Sequence, residues 1–236
     1  MKALVLSAGG LWAAWEIGAW KVLCAKFQPD LIVGTSAGAW NGWAIASGCS
    51  AAELAQLWLE PDIAQIMSFG LHASGCLKGA PLHAKARDLF AKFKPRIPFA
   101  LTMVELPSLR SRIVRDRDIT WEHLAATASI PGGFPPVSIG GHLYVDGGFR
   151  AGLPLWAAEE LGAERALALN VLNTPEFRVL QVLMRRKRAS HKLRVTCLEP
   201  SRRLGSLRQA ICWNPNNIEC WMAQGEEDAR RISFTM

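Results

Sequence analysis

Residues 34–38, Gly-Thr-Ser-Ala-Gly, have the composition and spacing of a nucleophile turn, Gly-x-Ser-x-Gly. The apolar residues 31–33 precede this turn and the helix-like residues 39–46 follow it. A strand that enters a helix through this pattern exposes the serine at the carboxyl edge of a sheet. Glycine lets strand and helix approach closely, and the helix N-terminus stabilises negative charge. The pattern therefore predicts Ser36 as a nucleophile; the alternative is a small-residue turn with an incidental serine.

A serine nucleophile also needs hydrogen-bond donors for the negative oxygen that forms on its substrate. Ala8, Gly9 and Gly10 follow the first apolar run, residues 2–6. Loops at the carboxyl ends of adjacent parallel strands face one crevice, so we expect the N–H groups of Gly9 and Gly10 to face a carbonyl oxygen beside Ser36. An ordinary tight turn is the alternative. Dinucleotide binding is less well supported, because Gly-x-Gly-x-x-Gly is absent.

Two kinds of base could activate this serine. A Ser-Asp-His order needs a late histidine, and only His191 lies late, in a basic run (residues 185–192) typical of a solvated surface. His142 falls in a predicted hairpin turn. Asp146 ends a short apolar stretch and precedes two glycines, which favours an acid that reaches into the crevice, although Asp-Gly is also a common turn.

The elements that must position these residues alternate between strands and helices. The predicted strands are residues 2–6, 31–33, 100–104, 112–114, 135–139, 142–145, 165–171 and 193–198. The predicted helices are residues 11–26, one or two within 51–69 divided at Pro61, and then 81–93, 119–128, 154–161, 176–188 and 218–231. This alternation predicts a three-layer α/β/α architecture with a mostly parallel central sheet, and we expect residues 1–236 to form a single domain.

Composition indicates which binding partners and which cellular compartment to expect. The net charge of +7 favours an anionic partner, and the basic run with Arg202 and Arg203 fits phospholipid headgroups as well as it fits a solvated surface. No nucleic-acid-binding motif is present, so nucleic acid is not expected. The six cysteines lack disulfide or metal spacing, which indicates buried thiols in a reducing compartment.

The amino-terminal residues have no clear targeting pattern. Residues 1–6 faintly resemble a signal peptide, but Gly9, Gly10 and Glu16 argue against one. No apolar run reaches the length of a transmembrane helix. We therefore expect a cytoplasmic protein that contacts membranes at most peripherally.

Three blocks of the chain resemble the patatin-like phospholipase family. The first is residues 6–10 with 17–19, similar to the family's glycine-rich loop and first helix, and the second is residues 34–39 with Asn41, similar to its nucleophile turn. The third extends from Ala-Ser-Ile-Pro at 128–131 through Phe-Pro-Pro at 134–136 to Tyr-Val-Asp-Gly-Gly at 144–148 and Leu-Pro at 153–154. This long ordered block is more specific than any short motif, and the similarity spans residues 2 to about 171.

The resemblance implies a patatin-like fold and a Ser-Asp dyad without histidine. In that reading Ser36 is the nucleophile, Asp146 is its base, and Gly9 and Gly10 form the oxyanion hole. It also implies hydrolysis of fatty-acyl esters of phospholipid or lysophospholipid through an acyl-enzyme, with neither cofactor nor metal. The oligomeric state does not follow from the sequence.

The chain departs from the family's pattern beside the glycine-rich loop. Ala8 stands where the family usually has a third glycine, Trp12 where it has Arg or Lys, and Ala13 where it has Gly. An alanine restricts φ and crowds the loop, and the missing cation removes a positive charge. Two alternatives therefore stay open: a catalytically weakened lipid-binding or regulatory protein with this fold, and a histidine-assisted serine esterase.

Overall fold

The computed structural model describes residues 1–72, 75–173 and 192–232. Its strands are β1 (Lys2–Leu6), β2 (Leu31–Thr35), β3 (Phe69–His72), β4 (Gly75–Leu77), β5 (Phe99–Leu106), β6 (Arg110–Arg115), β7 (Val137–Ile139), β8 (His142–Asp146), β9 (Arg165–Leu169) and β10 (Arg194–Leu198). Its α-helices are α1 (Ala14–Leu23), α2 (Ala37–Ala46), α3 (Ala51–Leu59), α4 (Asp62–Ile66), α5 (Gly79–Lys92), α6 (Trp121–Thr127), α7 (Leu155–Glu160) and α8 (Pro215–Arg230). Short 3-10 turns span Gly10–Ala13, Asp116–Asp118 and Gly147–Phe149.

The central sheet has the hydrogen-bonded order β10-β9-β1-β2-β5-β8-β7, and β6 also pairs with β5. The run from β10 to β5 is parallel, whereas β6, β7 and β8 pair antiparallel. Strands β3 and β4 form a separate antiparallel pair. The prediction of a mostly parallel α/β sheet is confirmed.

The strand β5 receives three partners on its two edges. Its first half, residues 99–102, pairs with β2, and its second half, residues 103–106, pairs with β8. Strand β6 pairs along residues 100–105 and overlaps both. Because a strand has only two edges, β2 and β8 must share one of them and approach each other end to end. Thr35 therefore ends opposite Thr102, and Asp146 ends opposite Met103.

The alternation of side chains along the sheet divides the core into two layers. In β1, Leu4 and Leu6 belong to a large apolar cluster that includes residues of α1, α2, α3, α5, α6 and α8. Ala3 and Val5 belong to a smaller cluster on the opposite face, together with Trp156 of α7. Successive residues of a strand point to opposite faces, so a strand buried on both faces is apolar throughout. The expected three layers are present.

Two predicted elements differ in the structure. The helix expected over residues 11–26 begins as the 3-10 turn, because Gly10 has a positive φ of 55° that lies outside the helical region, and α1 follows from Ala14. The helices expected over 51–69 are present as α3 and α4, but Phe69 begins β3. Short apolar stretches do not distinguish strand from helix by periodicity alone.

The cysteine prediction is wrong for most positions. Cys49 is buried and Cys24 is half-buried, whereas Cys76, Cys197, Cys212 and Cys220 are exposed. All six are free thiols. The predicted helix 176–188, most of the basic run 185–192, and His191 lie outside the described residues. Across the three described ranges, no helix is long and apolar enough to cross a bilayer.

Helices α1 and α8 touch backbone to backbone at two glycines. A Cβ on Gly18 would overlap the carbonyl oxygen of Met222, and one on Gly225 would overlap that of Trp15. The indole N–H of Trp15 also donates to the carboxylate of Asp228 at 2.8 Å. The helix that follows the glycine-rich loop is thereby fixed against the last helix of the described chain.

We predict that Gly18→Ala lowers the free energy of unfolding by about 1–3 kcal/mol, because the methyl group must displace a backbone carbonyl. Alanine is otherwise the better helix former by about 1 kcal/mol. Gly79→Ala is the matched control, since its nearest neighbour, Pro135, would lie 3.6 Å from the new Cβ. Urea denaturation measures both variants. Equal stability of the two would contradict the close crossing of α1 and α8.

Candidate active site

Ser36 occupies a strained turn between β2 and α2. Its φ of 56° and ψ of −131° lie outside the regions that L-residues favour. A Cβ on Gly34 would meet the backbone of Gly38 and Ala39, and one on Gly38 would overlap the carbonyl of Ser7. Both glycines are therefore needed for β2, α2 and the end of β1 to approach this closely. Non-glycine residues with such backbone angles cluster at functional sites.

A hydrogen-bond chain through Thr127 holds the strained turn in place. The backbone N–H of Ser36 donates to Oγ1 of Thr127 at 3.0 Å, and the Thr127 hydroxyl donates to the carbonyl of Thr102 at 2.8 Å. Thr127 is fully buried at the end of α6. The turn is thus tied through α6 to β5, a connection that the sequence patterns did not predict.

The Asp146 carboxyl group lies beside the Ser36 side chain. Its Oδ1 accepts the N–H of Gly148 at 2.6 Å, and the backbone N–H of Asp146 donates to the carbonyl of Ser129 at 2.9 Å. Only 5% of the residue is exposed, and burial raises the pKa of Asp146 from 3.8 to about 7 against the opposing effects of the Ser36 side chain and the Gly148 N–H. The end-to-end approach of β2 and β8 brings these two residues together.

Gly10 lines the same cavity as Ser36, and Gly9 precedes Gly10 in the loop. The flanking N–H groups are already bound, that of Ala8 to the carbonyl of Gly152 at 2.7 Å and that of Leu11 to the carbonyl of Ala210 at 2.9 Å. Gly10 has a positive φ, and a Cβ there would lie 2.5 Å from the Ala210 oxygen. This position requires glycine for both reasons.

Ala8 fits the loop without backbone strain, contrary to the crowding expected from the sequence. Its φ is not positive, and the missing Cβ of Gly148 makes room for its methyl group. Trp12 is 2% exposed and Ala13 is fully buried. A cation at position 12 would therefore be buried in an apolar cluster beside the glycine-rich loop.

Glu16 connects the glycine-rich loop to α2, a role that the sequence analysis did not predict. Its Oε1 accepts the backbone N–H of Ser7 at 2.9 Å and the Ser7 hydroxyl at 3.3 Å, and its Oε2 accepts the side-chain amide of Asn41 at 3.0 Å. Asn41 also accepts the indole N–H of Trp58 at 2.9 Å. Burial raises the pKa of Glu16 from 4.5 to about 8. The sequence signal that could have identified this role is the presence of a glutamate within an apolar helical stretch.

A cavity of about 750 Å³, part of it open to solvent, extends from Ser36 between the helices of the larger core. Its walls are mostly apolar and come from α2 to α5 and from the segment after α6; they include Trp40, Leu54, Leu57, Ile63, Ile66, Leu82 and Phe134. Lys85 is the charged residue of the lining, and its ammonium group pairs with Glu60 at 2.6 Å. Volume and apolar lining suit a ligand with a long hydrocarbon part.

Three of the described histidines make contacts elsewhere in the structure. His142 begins β8 with 62% of its side chain exposed and lies 3.8 Å from a Glu105 carboxylate oxygen. His123 accepts the N–H of Thr120 at the start of α6, and His83 packs near Trp121. No histidine lines the cavity in the part of the chain that the structure describes. Within the same ranges, no cluster of three His, Cys, Asp or Glu could hold a metal ion.

The chain belongs to the patatin-like phospholipase family. The family model matches residues 4–159, which include the glycine-rich loop, the nucleophile turn and the end of β8. The expectation drawn from the three sequence blocks is thereby confirmed.

Curated relatives are long proteins that this chain matches in one region. It is 26% identical over 181 residues to patatin-like phospholipase domain-containing protein 7 of Rattus norvegicus, and 26% identical over 185 residues to patatin-like phospholipase domain-containing protein 6 of Homo sapiens. Each match covers 72% of this chain and 13% of the relative. The chain therefore spans a small part of the length of these relatives.

A solved structure with the same fold is VipD from Legionella pneumophila. The two structures superpose with a TM-score of 0.58 at 10% sequence identity, over 98% of this chain and 66% of VipD. At this low sequence identity, the similarity shows a shared fold and nothing more.

We predict that the free energy of unfolding decreases as pH rises from about 4.5 to about 8. Over this range the folded state keeps a proton on Glu16 that the unfolded state has lost. The resulting stabilisation is complete below the unfolded-state pKa of 4.5 and is lost as pH rises through the folded-state pKa of about 8. Asp146 acts in the same direction up to about pH 7. Each proton contributes a slope of at most about 1.4 kcal/mol per pH unit.

The Glu16→Gln variant isolates the contribution of Glu16, because the amide keeps the shape and cannot ionise. Urea titrations at several pH values should show that the free energy of unfolding of Glu16→Gln increases steadily relative to that of the wild type as pH rises through this range. Glu219→Gln, an exposed position on α8, is the matched control. A constant difference between Glu16→Gln and the wild type at all pH values would contradict the raised pKa.

Proposed function

We propose that this protein is a serine lipid acyl hydrolase that cleaves fatty-acyl esters of phospholipid or lysophospholipid through a Ser36–Asp146 dyad. The observation that supports this most strongly is the position of Ser36. Its side chain lies beside a buried carboxyl group, that of Asp146, and the same residue lines an apolar cavity. Membership of the patatin-like phospholipase family supports the same class of reaction.

In the first half-reaction Ser36 attacks the ester carbonyl carbon and its proton passes to Asp146. The raised pKa makes this carboxylate a stronger base than an exposed aspartate, and a pKa near the working pH is what general-base catalysis requires. The ester C–O bond then breaks, the leaving alcohol takes the proton from Asp146, and the acyl group stays on Ser36.

The negative carbonyl oxygen is held by the N–H groups of Gly9 and Gly10. The neighbouring N–H groups of Ala8 and Leu11 are bound to backbone carbonyls, so these two glycines are the donors of this loop that we assign to the oxyanion. The N-terminus of α2, which begins directly after Ser36, adds its dipole. These donors are fixed before substrate binds, so they need no reorganisation as charge develops.

In the second half-reaction a water molecule gives a proton to Asp146 and attacks the acyl carbon. The bond to Ser36 breaks, Oγ regains the proton from Asp146, and the fatty acid leaves. The apolar cavity holds the hydrocarbon chain through both steps. None of these steps needs a metal ion or a cofactor, since the proton moves only between the oxygens of Ser36, Asp146, the alcohol and water.

We predict that a fluorophosphonate probe labels Ser36 and that Ser36→Ala abolishes both labelling and ester hydrolysis. The probe reacts with a serine that a neighbouring base activates. Ser47→Ala, at the other end of α2, is the matched control and should keep both signals. Peptide mapping by mass spectrometry identifies the labelled residue. Absence of labelling in the wild type would favour the non-catalytic lipid-binding alternative.

We predict that kcat/KM falls as pH drops below about 7, because protonated Asp146 cannot accept the serine proton. Asp146→Asn should lower kcat roughly a hundredfold or more and remove this limb of the profile. His142→Ala serves as the histidine control and should leave most activity. A large loss in His142→Ala, with Asp146→Asn still active, would favour the histidine-assisted alternative.

A further inference from the structure

The turn of residues 206–212 packs against residues that line the cavity. It is compact, because the N–H of Gln209 donates to the carbonyl of Ser206 at 2.9 Å and the N–H of Cys212 donates to that of Arg208 at 2.9 Å. Ala210 of this turn accepts the N–H of Leu11 at 2.9 Å. Both Leu11 and its neighbour Gly10 line the cavity.

The following residue fixes the other side of the turn. The indole N–H of Trp213 donates to the carbonyl of Trp58 at 3.1 Å, and Trp58 of α3 also lines the cavity. The turn is therefore held between the glycine-rich loop and α3, both of which line the cavity. Its position relative to the cavity is fixed by these two hydrogen bonds.

The outer face of the turn is apolar. Leu207 is 51% exposed and Ile211 is 41% exposed, which makes Leu207 the most exposed of the large apolar side chains in the described ranges. They are four residues apart in a helical turn and so lie on the same side. Single exposed apolar side chains are ordinary on protein surfaces, but a pair of them on one side of a turn that packs against cavity-lining residues forms a small apolar contact surface.

The charged residues of this segment have one sign. Residues 200–214 contain three arginines and no acidic residue. Arg208 is exposed next to Leu207, the Arg203 side chain donates to the carbonyl of Gly205 at 3.1 Å, and Arg202 pairs with Glu227 at 2.9 Å. Exposed leucine and isoleucine flanked by arginine are the combination that enters a bilayer interface while its cations meet phosphate groups.

We propose that the turn of residues 206–212 is a docking surface for an anionic lipid bilayer, with Leu207 and Ile211 entering the interface and Arg208 contacting lipid phosphates. The proposal rests on the proposed function, since docking would place the bilayer next to the walls of the cavity that receives the lipid ester. Charge complementarity and contact with the cavity-lining residues select a lipid surface over a protein partner.

The test compares two pairs of adjacent residues that have the same chemical types. Arg208→Gln with Leu207→Ser changes the turn, and Arg194→Gln with Val195→Ser changes an exposed arginine and a 40% exposed valine at the opposite, amino end of the sheet. Both double variants are made in the Ser36→Ala background, so that vesicles are not consumed. Flotation with phosphatidylcholine vesicles containing phosphatidylglycerol measures binding.

We expect the turn variant to lose about tenfold in partition to the anionic vesicles, and the control pair to bind like the parent. Raising the salt concentration should weaken parental binding, because the arginine contribution is screened. Equal loss in both pairs, or binding that the turn variant retains, would overturn the proposal. No parental binding to these vesicles would overturn it as well.

Activity measurements separate this proposal from the proposed function. With Ser36 intact, the turn variant should hydrolyse a water-soluble short-chain ester at the wild-type rate and lose hydrolysis of the same vesicles in proportion to binding. Loss on both substrates would show that the turn acts on the chemistry, and would overturn docking as its role. A wild type that cleaves neither substrate, with binding still dependent on the turn, would leave docking in place and overturn the hydrolase.

Discussion

The shared edge of β5 is the constraint on which the site depends. Two strands that run in opposite directions end against consecutive residues of β5, Thr102 and Met103. Their carboxyl ends therefore meet, and the residue that follows one of them, Ser36, lies beside the last residue of the other, Asp146. Gly147 is needed at this junction, because a Cβ there would overlap the carbonyl of Thr102.

The same junction buries the carboxyl group of Asp146, and this burial lowers the stability of the fold. Asp146 and Glu16 are both buried carboxyl groups whose pKa values are raised, and Ser36 has a backbone conformation that costs about 1–3 kcal/mol. The surrounding backbone and side-chain hydrogen bonds keep these groups in place. A buried carboxyl group beside a strained serine is the arrangement expected where function, rather than stability, has set the geometry.

Much of the site could be predicted from local sequence. The glycines around Ser36 and the loop at Gly9 and Gly10 have conformational requirements that few other residues satisfy, so their spacing indicated a nucleophile turn and a donor loop before any pairing was known. Asp146 alone was ambiguous, because an Asp-Gly turn looks the same. The resemblance of the longer block around it, and not its local pattern, indicated its role as the base.

Long-range pairing and buried polar contacts could not be predicted in this way. Nothing in residues 99–106 shows that one edge of a strand accepts two partners. Thr127 and Glu16 act through contacts with residues 91 and 9 positions away, respectively. The burial of Trp12 could not be predicted either, because the sequence does not show which side of the 3-10 turn faces the core. Exposure of four cysteines was missed for the same reason, since their spacing says nothing about burial.

The most direct test of the account is a crystal structure of the phosphonate adduct on Ser36. We predict that the Asp146 carboxylate lies within about 3.2 Å of the Ser36 oxygen, and that a phosphonyl oxygen accepts the N–H groups of Gly9 and Gly10 at about 2.7–3.1 Å. The alkyl group of the probe should enter the apolar cavity. A phosphonyl oxygen that points away from both glycines, or a histidine in place of Asp146 beside Ser36, would contradict it.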